Sequence, residues 1–289
     1  MLVKPNWLKI KLEKNNNFQN IEEALKEENL VTVCEEAHCP NISECWNSGT
    51  ATFMILGDTC TRACKFCAVK TAFPAKLVDK EEPKKLANLL KKWNLNYIVI
   101  TSVDRDDLID QGSIHFANCI KEIKKENNIM IEVLIPDFRG REDLINNVIK
   151  VKPNVISHNI ETVRRLQKNV RDPRANYEQS LKVLKYVKDT DNKIFTKSSI
   201  MLGLGETEVE VIKTMRDLRG INVDFLTLGQ YLRPSLKHIE VKEYVSPDKF
   251  NFYKKVGEEL GFLYVASGPF VRSSYKAGEF FIKSMIKNG

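Results

Sequence analysis

The run Phe53-Met54-Ile55-Leu56-Gly57-Asp58-Thr59-Cys60-Thr61-Arg62-Ala63-Cys64-Lys65-Phe66-Cys67 decides how this chain reads. Its first four residues are apolar and suit a buried strand. Three cysteines follow at once, spaced C-x3-C-x2-C. In parallel α/β folds chemistry gathers at the C-terminal ends of the strands, so the triplet sits where an active site belongs. Three thiolates with no nearby fourth ligand make a poor structural zinc site, which wants a closed set of four. They suit a cubane iron–sulfur cluster with one iron left open to a small-molecule ligand. The competing reading is a buried helical stripe, because positions 60, 64 and 67 share a helix face. Thr61, Arg62 and Lys65 between the cysteines, and Asp58-Thr59 before them, do not suit a core helix.

Outward from this run, short apolar segments alternate with amphipathic ones. Strands are predicted at Phe53–Leu56, Tyr97–Ile100, Met130–Ile135, Asn154–Ser157, Phe195–Met201, Phe225–Leu228 and Leu263–Val265. Helices are predicted at Pro83–Lys92, Ser113–Lys125, Glu142–Val151, Asn176–Lys188, Glu206–Leu218 and Asp248–Leu260. Pro83 near one helix start and Gly261 after another helix end fit the usual asymmetry of helix termini. About six β-then-α units imply a parallel sheet with helices outside. The fold class expected is α/β, a partial parallel (β/α)6-type TIM-like barrel with N- and C-terminal extensions covering its mouth. The domain division expected is an extension over 1–50, the barrel over 51–270 and a C-terminal segment over 271–289. The extension should hold one helix, roughly Asn20–Asn29, after a linker around Asn16 and Asn17.

The chain has 289 residues, enough for one large α/β domain or two ordinary ones, and its 43% hydrophobic content excludes wholesale disorder. Its 45 Lys+Arg against 38 Asp+Glu give a net charge of +7, which favours acidic partners without identifying them. Met1–Glu13 has neither the apolar core of a signal peptide nor the Arg- and Ser-rich character of a transit peptide, and no apolar run is long enough to span a bilayer. A cytoplasmic, membrane-free location is the expectation. Seven cysteines, an odd and clustered set, point to metal binding rather than disulfides.

A second triplet lies upstream in Cys34-Glu35-Glu36-Ala37-His38-Cys39-Pro40-Asn41-Ile42-Ser43-Glu44-Cys45, spaced C-x4-C-x5-C. This spacing scatters the side chains around a helix, and Pro40 argues for a loop. A loop wrapping a second cluster fits; a zinc site with His38 as fourth ligand is the alternative.

The first triplet, with Phe66 as its aromatic, resembles the C-x3-C-x-aromatic-C signature of radical S-adenosylmethionine enzymes. In that family the open iron chelates the methionine moiety. An electron from the cluster cleaves the sulfonium, and the 5′-deoxyadenosyl radical abstracts hydrogen from unactivated carbon. Together with the upstream triplet and the C-terminal Arg272-Ser273-Ser274-Tyr275-Lys276-Ala277, the chain closely resembles the lipoyl synthase family. Lys4–Lys9, Thr101–Leu108, His158–Val163 and Gly203–Glu206 also look like it, so the resemblance runs from about residue 4 to residue 278. The tail with Phe280-Phe281-Ile282 looks individual to this chain.

The resemblance implies two 4Fe–4S clusters and S-adenosylmethionine as cofactors. Cys60, Cys64 and Cys67 would hold the radical cluster. Cys34, Cys39, Cys45 and Ser274 would hold an auxiliary cluster that is consumed as the sulfur source. A serine oxygen is a harder ligand than thiolate and should be the easiest to give up. The alternative for Ser273 and Ser274 is capping of a final helix. Cofactor contacts are expected from Phe66, Thr101, Ser102, Asn159, Glu161 and Glu206. Asn159 and Glu161 would face the ribose, with loop capping as the alternative. Thr101 and Ser102 would face the methionine amino group, and Gly203-Leu204-Gly205-Glu206 would give backbone freedom nearby. Arg171 and Arg174 are candidates for a carboxylate or for a solvated turn. Cys119 reads as core, and His115 and His238 carry no signal.

The implied reaction is sulfur insertion at carbons 6 and 8 of an N6-octanoyl-lysine. Implied partners are octanoylated carrier domains of 2-oxoacid dehydrogenases or the glycine-cleavage carrier protein, a ferredoxin- or flavodoxin-like reductant and a cluster-delivery protein, with no nucleic acid. Two alternatives stand beside this one. A radical methylthiotransferase acting on tRNA would need a nucleic-acid-binding domain for which no length remains. A non-enzymatic two-cluster electron carrier would want four cysteines per cluster.

Overall fold

The computed structural model of the chain describes residues 3–9, 16–47, 51–93 and 97–275. The N-terminal region contributes helix α1 (Asn16–Glu28), strand β1 (Val31–Thr32) and short helices α2 (Val33–Glu36) and α3 (Ile42–Asn47). Helix α1 begins at Asn16, where a linker was expected, because Phe18, Ile21 and Leu25 recur at helical spacing and are buried. The preceding residues 10–15 lie outside the described residues.

Strand β2 (Thr52–Ile55) opens the main sheet, and two short strands, β3 (Thr59–Cys60) and β4 (Lys70–Thr71), flank the cysteine loop that follows. The chain then alternates. Helix α4 (Glu82–Trp93), β5 (Tyr97–Ser102), α5 (Ser113–Glu126), β6 (Met130–Leu134) and α6 (Glu142–Ile149) lead to β7 (Val155–Ser157). Short α7 (Gln167–Val170) and α8 (Tyr177–Thr190) precede β8 (Phe195–Leu202), and α9 (Glu208–Gly220), β9 (Phe225–Gln230), α10 (Pro247–Glu259) and β10 (Tyr264–Gly268) complete the order. All seven expected strands and all six expected helices form, with shifts of a few residues at their ends.

The caps explain those shifts. Thr207 and Glu210 form a reciprocal capping box at the start of α9. Ser246 caps α10 with Pro247 at its first turn, and Asn176 caps α8 by accepting from Gln179 N–H.

The sheet runs β1-β2-β5-β6-β7-β8-β9-β10. In this sheet β2 and β5 to β10 pair parallel in sequence order, β3 and β4 form a separate parallel pair, and β1 joins β2 antiparallel through Val31↔Met54 and Thr32↔Phe53. Among the described residues no pairing joins β10 back to β2, so the barrel is partial. The parallel strands are buried almost throughout, as strands covered on both faces must be. The N-terminal region shares this core: Phe18, Ile21, Leu25 and Trp46 belong to the same apolar cluster as Phe53, Ile100 and Ile131.

Candidate functional site

Strands β2, β5, β6, β8 and β9, the β3–β4 pair and the loops that follow the strands deliver residues to one cavity of about 580 Å³. Its wall is made from the C-terminal ends of the strands and the loops beyond them, including Thr101–Asp104, Leu134–Asp137, His158-Asn159 with Glu161, and Gly229–Pro234. The two cysteine triplets open onto it from one side and Val271–Tyr275 from another.

The first triplet is aimed by strained backbone. Strand β2 exits through Leu56 at φ 68° and Gly57 at φ 90°, two successive left-handed residues. A buried leucine adopts that region only when its surroundings fix it. Here Leu56 N–H donates to the Glu82 carboxylate at 2.9 Å and its carbonyl accepts from Arg105 at 3.2 Å.

The loop itself is clamped by charge. Arg62 is buried and donates through Nη1 and Nη2 to both oxygens of Asp137 at 2.8 Å, and through Nε to Asp106 at 2.7 Å. Asp172 accepts from Ala63 N–H at 2.9 Å and is held in turn by Arg174, which also donates to Thr61 O at 2.8 Å. Asp172 N–H donates to Cys64 Sγ at 3.3 Å. On the far side His238 Nε2 lies 2.9 Å from the Cys67 carbonyl.

Titration follows this architecture. Burial alone would raise the Asp137 carboxyl, but the Arg62 hydrogen bonds and charge overcome it and hold the pKa at about 2. Burial pushes Asp104, beside Cys60, up to about 6 against the pull of Arg62. Burial also pushes the thiols up, Cys60 and Cys64 to about 12 and Cys67 and Cys34 to about 11, and raises Cys39. Such thiols stay protonated until a metal displaces the proton, so metal binding here is proton-releasing.

The second triplet rides on α2, α3 and the turn between them, with His38 at φ 49°. The C-terminal segment is pinned to it. Asn41 Nδ2 donates to Phe270 O at 2.6 Å, and Tyr275 O–H donates to Glu44 at 3.0 Å. Cys34, Cys39, Cys45, Ser273 and Ser274 therefore line the same cavity, and His38 lines it too. The cap reading of the serines concerns a helix beyond Tyr275; residues 276–289, with Lys276, Ala277 and Phe280-Phe281-Ile282, lie outside the described residues.

Among the expected cofactor contacts, Phe66, Thr101, Ser102, Asn159 and Glu161 all line the cavity. Ser102 Oγ and Asn159 Oδ1 are buried without a hydrogen-bond partner, the condition a polar ligand relieves. Glu161 sits at φ 66° and its carboxyl is raised by burial, partly offset by Arg171 and by Asn159 Nδ2 at 3.1 Å. Thr101 Oγ1 already donates to Leu134 O at 3.2 Å. Glu206 is placed elsewhere. Its carboxylate accepts from Gly203 N–H at 2.5 Å and Leu204 N–H at 2.9 Å, bracing its own turn, and it does not line the cavity. Arg171 donates to Gln167 and Ser180, while Arg174 takes the carboxylate of Asp172.

Several participants gave no sequence signal. His115 pairs with Glu82 at 2.6 Å, and Cys119 Sγ lies within 4.8 Å of both donor atoms, between α4 and α5. Arg62, Asp106, Asp137 and His238 act through partners far away in sequence.

The donor sets fit iron–sulfur clusters: two groups of three cysteines, Cys34 buried and the other five half-buried, one group with Ser273 and Ser274 beside it, line one cavity that also carries unpaired polar atoms. A radical-generating enzyme of the S-adenosylmethionine class is what such a barrel and donor set define. The radical SAM superfamily model matches residues 54–218, and the model for the N-terminal domain of lipoyl synthase matches residues 2–39. Lipoyl synthases named mitochondrial in Trichoplax adhaerens and chloroplastic in Arabidopsis thaliana are each 55% identical over 98% of this chain, and the chain covers 82% and 74% of them. Methylornithine synthase shares the fold at a TM-score of 0.56, with 14% identity over 72% of this chain and 62% of its own. The chain belongs to the lipoyl synthase family. The organellar names of these relatives overturn the cytoplasmic expectation, because the composition of Met1–Glu13 tests only for a leader within those residues. Among the described residues no helix is long and apolar enough to cross a membrane.

Proposed function

We propose that this chain, as a lipoyl synthase, inserts sulfur at carbons 6 and 8 of an octanoyl chain borne on a lysine of a carrier protein. The observation that carries the reading is the single cavity onto which both cysteine triplets, Ser274 and the unpaired polar atoms of Ser102 and Asn159 all open. When bound, a cluster on Cys60, Cys64 and Cys67 would supply the electron that makes a carbon-activating radical from S-adenosylmethionine, and one on Cys34, Cys39, Cys45 and Ser274 would supply sulfur.

The protein's own contribution is positioning and exclusion. The Arg62–Asp106–Asp137 clamp and the His238 contact fix the first loop. Ser102, Asn159 and Glu161 offer polar contacts to the amino, carboxylate and ribose groups of the cofactor. The raised Glu161 carboxyl suits a hydroxyl-rich partner better than a second anion. The two terminal segments close the mouth and keep water from the radical. The division into extension, barrel and C-terminal segment is on this reading one of roles, the outer two supplying the sulfur-bearing corner. The supporting partners proposed are a low-potential reductant and a source of new clusters.

The test is anaerobic reconstitution with reductant, S-adenosylmethionine and an octanoyl-lysine peptide. Mass spectrometry should show a gain of two sulfurs as the dithiol, with loss of two hydrogens once the sample is oxidised to the disulfide. An unchanged peptide beside 5′-deoxyadenosine would discard the substrate and keep the radical chemistry. Absence of 5′-deoxyadenosine from cluster-loaded protein would discard both.

A further inference from the structure

The loop after β9, residues 232–240, holds a leucine out in solvent. Leu236 is 75% exposed. A lone exposed leucine needs no explanation, but this one rides on a loop fixed from within. Arg233 Nε donates to His238 O at 2.8 Å, and its Nη2 donates to Leu236 O at 2.5 Å. His238 Nε2 donates to Cys67 O at 2.9 Å, which leaves Nδ1 to accept from Ser235 O–H at 2.9 Å. The loop is thereby tied both to itself and to the first cysteine loop, so Leu236 is presented in a set position.

Three lysines gather around it. Lys65 lies on the first cysteine loop, Lys168 on α7 and Lys237 next to Leu236, and all three are exposed. Backbone hydrogen bonds bring their segments together. Lys65 N–H donates at 2.9 Å to the carbonyl of Val170, two residues beyond Lys168. Ile239 N–H, two residues beyond Lys237, donates to Lys65 O at 3.0 Å. Among the described residues none of the three lysines has a carboxylate partner. The carboxylates close by in sequence are engaged, Asp172 with Arg174 at 2.8 Å and Glu240 with Lys242 and Arg233 at 3.4 and 4.0 Å. Exposed charges add little to folding stability even when paired. Gathered without a counter-charge, they make a positive field that draws an acidic surface. The patch also borders the cavity: Phe66 and Cys67 follow Lys65, Leu232, Arg233 and Pro234 lead into the leucine loop, and all five line it.

We propose that Lys65, Lys168, Lys237 and Leu236 form the docking surface for the folded carrier domain that bears the octanoyl-lysine. The carrier meets it with carboxylates around the modified lysine and an apolar contact for Leu236, while the acyl arm passes over the rim into the cavity. The inference rests on the reading of the substrate as a carrier-borne octanoyl chain. It adds where the body of the carrier sits and the chemistry of the face it presents. Rim charges of this kind act chiefly on encounter rate and salt dependence, and the apolar contact on residence.

The experiment uses full-length, cluster-loaded protein: wild type, the Lys168→Glu/Lys237→Glu double variant and Leu236→Ser, all of which leave the cysteine loop intact. Two substrates are compared, an intact octanoylated carrier domain with acidic residues flanking its lysine and an octanoyl-lysine tripeptide with neutral flanks. The double variant should lower kcat/KM for the carrier about tenfold at low salt, through KM, and the gap should close at about 0.5 M salt, where screening acts within about 4 Å. Leu236→Ser should weaken the carrier at either salt. Tripeptide kinetics and 5′-deoxyadenosine formation should stay at wild-type values, which also shows that the variants fold. Equal losses for carrier and tripeptide would overturn the inference, because the side chains would then act on the site and not on docking. An unchanged carrier KM would overturn it too. So would a transfer RNA that competes with the carrier on wild type but not on the double variant, since the patch would then belong to nucleic acid. If wild type acts on neither substrate, the substrate reading fails and this inference with it, a result distinct from the others.

Discussion

Gly229→Ala is the sharpest probe of how the serine corner is held. The glycine is the penultimate residue of strand β9, in register with Met201 on one side and Gly268 on the other. It is not among the residues with positive φ, so alanine meets no backbone strain of its own. The obstacle is contact: an ideal Cβ would fall 2.0 Å from Val271 O and 3.0 Å from Val271 C. Restoring an ordinary 3.4 Å separation moves that carbonyl by 1.4 Å, the difference from 2.0 Å. The atom that must give is backbone, two residues before Ser273 and tied to Gly268 by the Val271 N–H at 3.0 Å. Overpacking of this kind costs about 1–3 kcal/mol of stability. A misplacement near 1 Å at a reacting group costs about 10²-fold in rate. The variant should therefore fold, with a lowered Tm, and make 5′-deoxyadenosine while sulfur insertion into an octanoyl-lysine peptide falls by about two orders of magnitude. Both products can be counted in one mass-spectrometric assay. Wild-type insertion by folded Gly229→Ala protein would refute the reasoning, because it would mean that Val271 can move without disturbing Ser274.

Three further outcomes are expected. Cys60→Ala should abolish cofactor cleavage, whereas Cys39→Ala should retain cleavage and abolish sulfur insertion; equal loss of cleavage in two well-folded variants would break the division of labour between the triplets. Arg62→Met strands Asp137 and Asp106 without their main partner and should cost about 3–5 kcal/mol, against a smaller loss for Arg62→Lys, as judged by denaturant unfolding of the metal-free protein. His158 is 4% exposed, and burial followed by the charge of Arg171 lowers its pKa from 6.5 to about 4. Between those values the unfolded chain binds a proton that the folded chain refuses, so stability falls as pH falls from 6.5 towards 4, by on the order of 3 kcal/mol. His158→Asn should flatten that slope in unfolding curves taken across the window; an unchanged slope would show that another group carries it.

The tautomer behind the last of these follows from the network. Nδ1 of His158 lies 2.9 Å from Ile135 O and must donate, which leaves Nε2 to accept from Ser180 O–H at 2.9 Å. Ser180 Oγ in turn accepts from Arg171 at 2.8 Å. Protonating the ring would turn Nε2 into a donor facing that hydroxyl and add a charge near Arg171, so the neutral form is built in.

What the sequence disclosed and what it withheld divide by the range of the interactions. Strands and helices were legible because their apolar periodicity is local; Met130–Leu134 and Ser113–Glu126 need only their own residues to be read. Both cysteine triplets were legible for the same reason, since each spacing spans a dozen residues or fewer. The Arg62 clamp was not, because its partners lie 44 and 75 positions away and no local pattern marks an arginine as buried. His238 reaches Cys67 across 171 positions. Glu206 lies off the cavity through a local effect, its carboxylate being taken by the Gly203 and Leu204 amides three and two residues back.

A longer link carries a consequence for assembly. Asn41 meets Phe270 across 229 positions, so the corner formed by Cys34, Cys39, Cys45 and Ser274 has no existence until the whole sheet between them is in order. The first triplet's loop leaves β2 and is clamped by Asp106 and Asp137 from the first half of the chain and by Asp172 and His238 from the second, none of which belongs to residues 270–275. Bringing such distant segments together is an entropic cost that local order does not carry. A site that depends on it can be reopened by releasing one short segment, Phe270 to Tyr275, while the barrel and the first triplet stay folded. On the proposed reading, in which this corner gives up its ligands, a serine carried on that segment rather than on a strand of the sheet confines the rearrangement to residues 270–275.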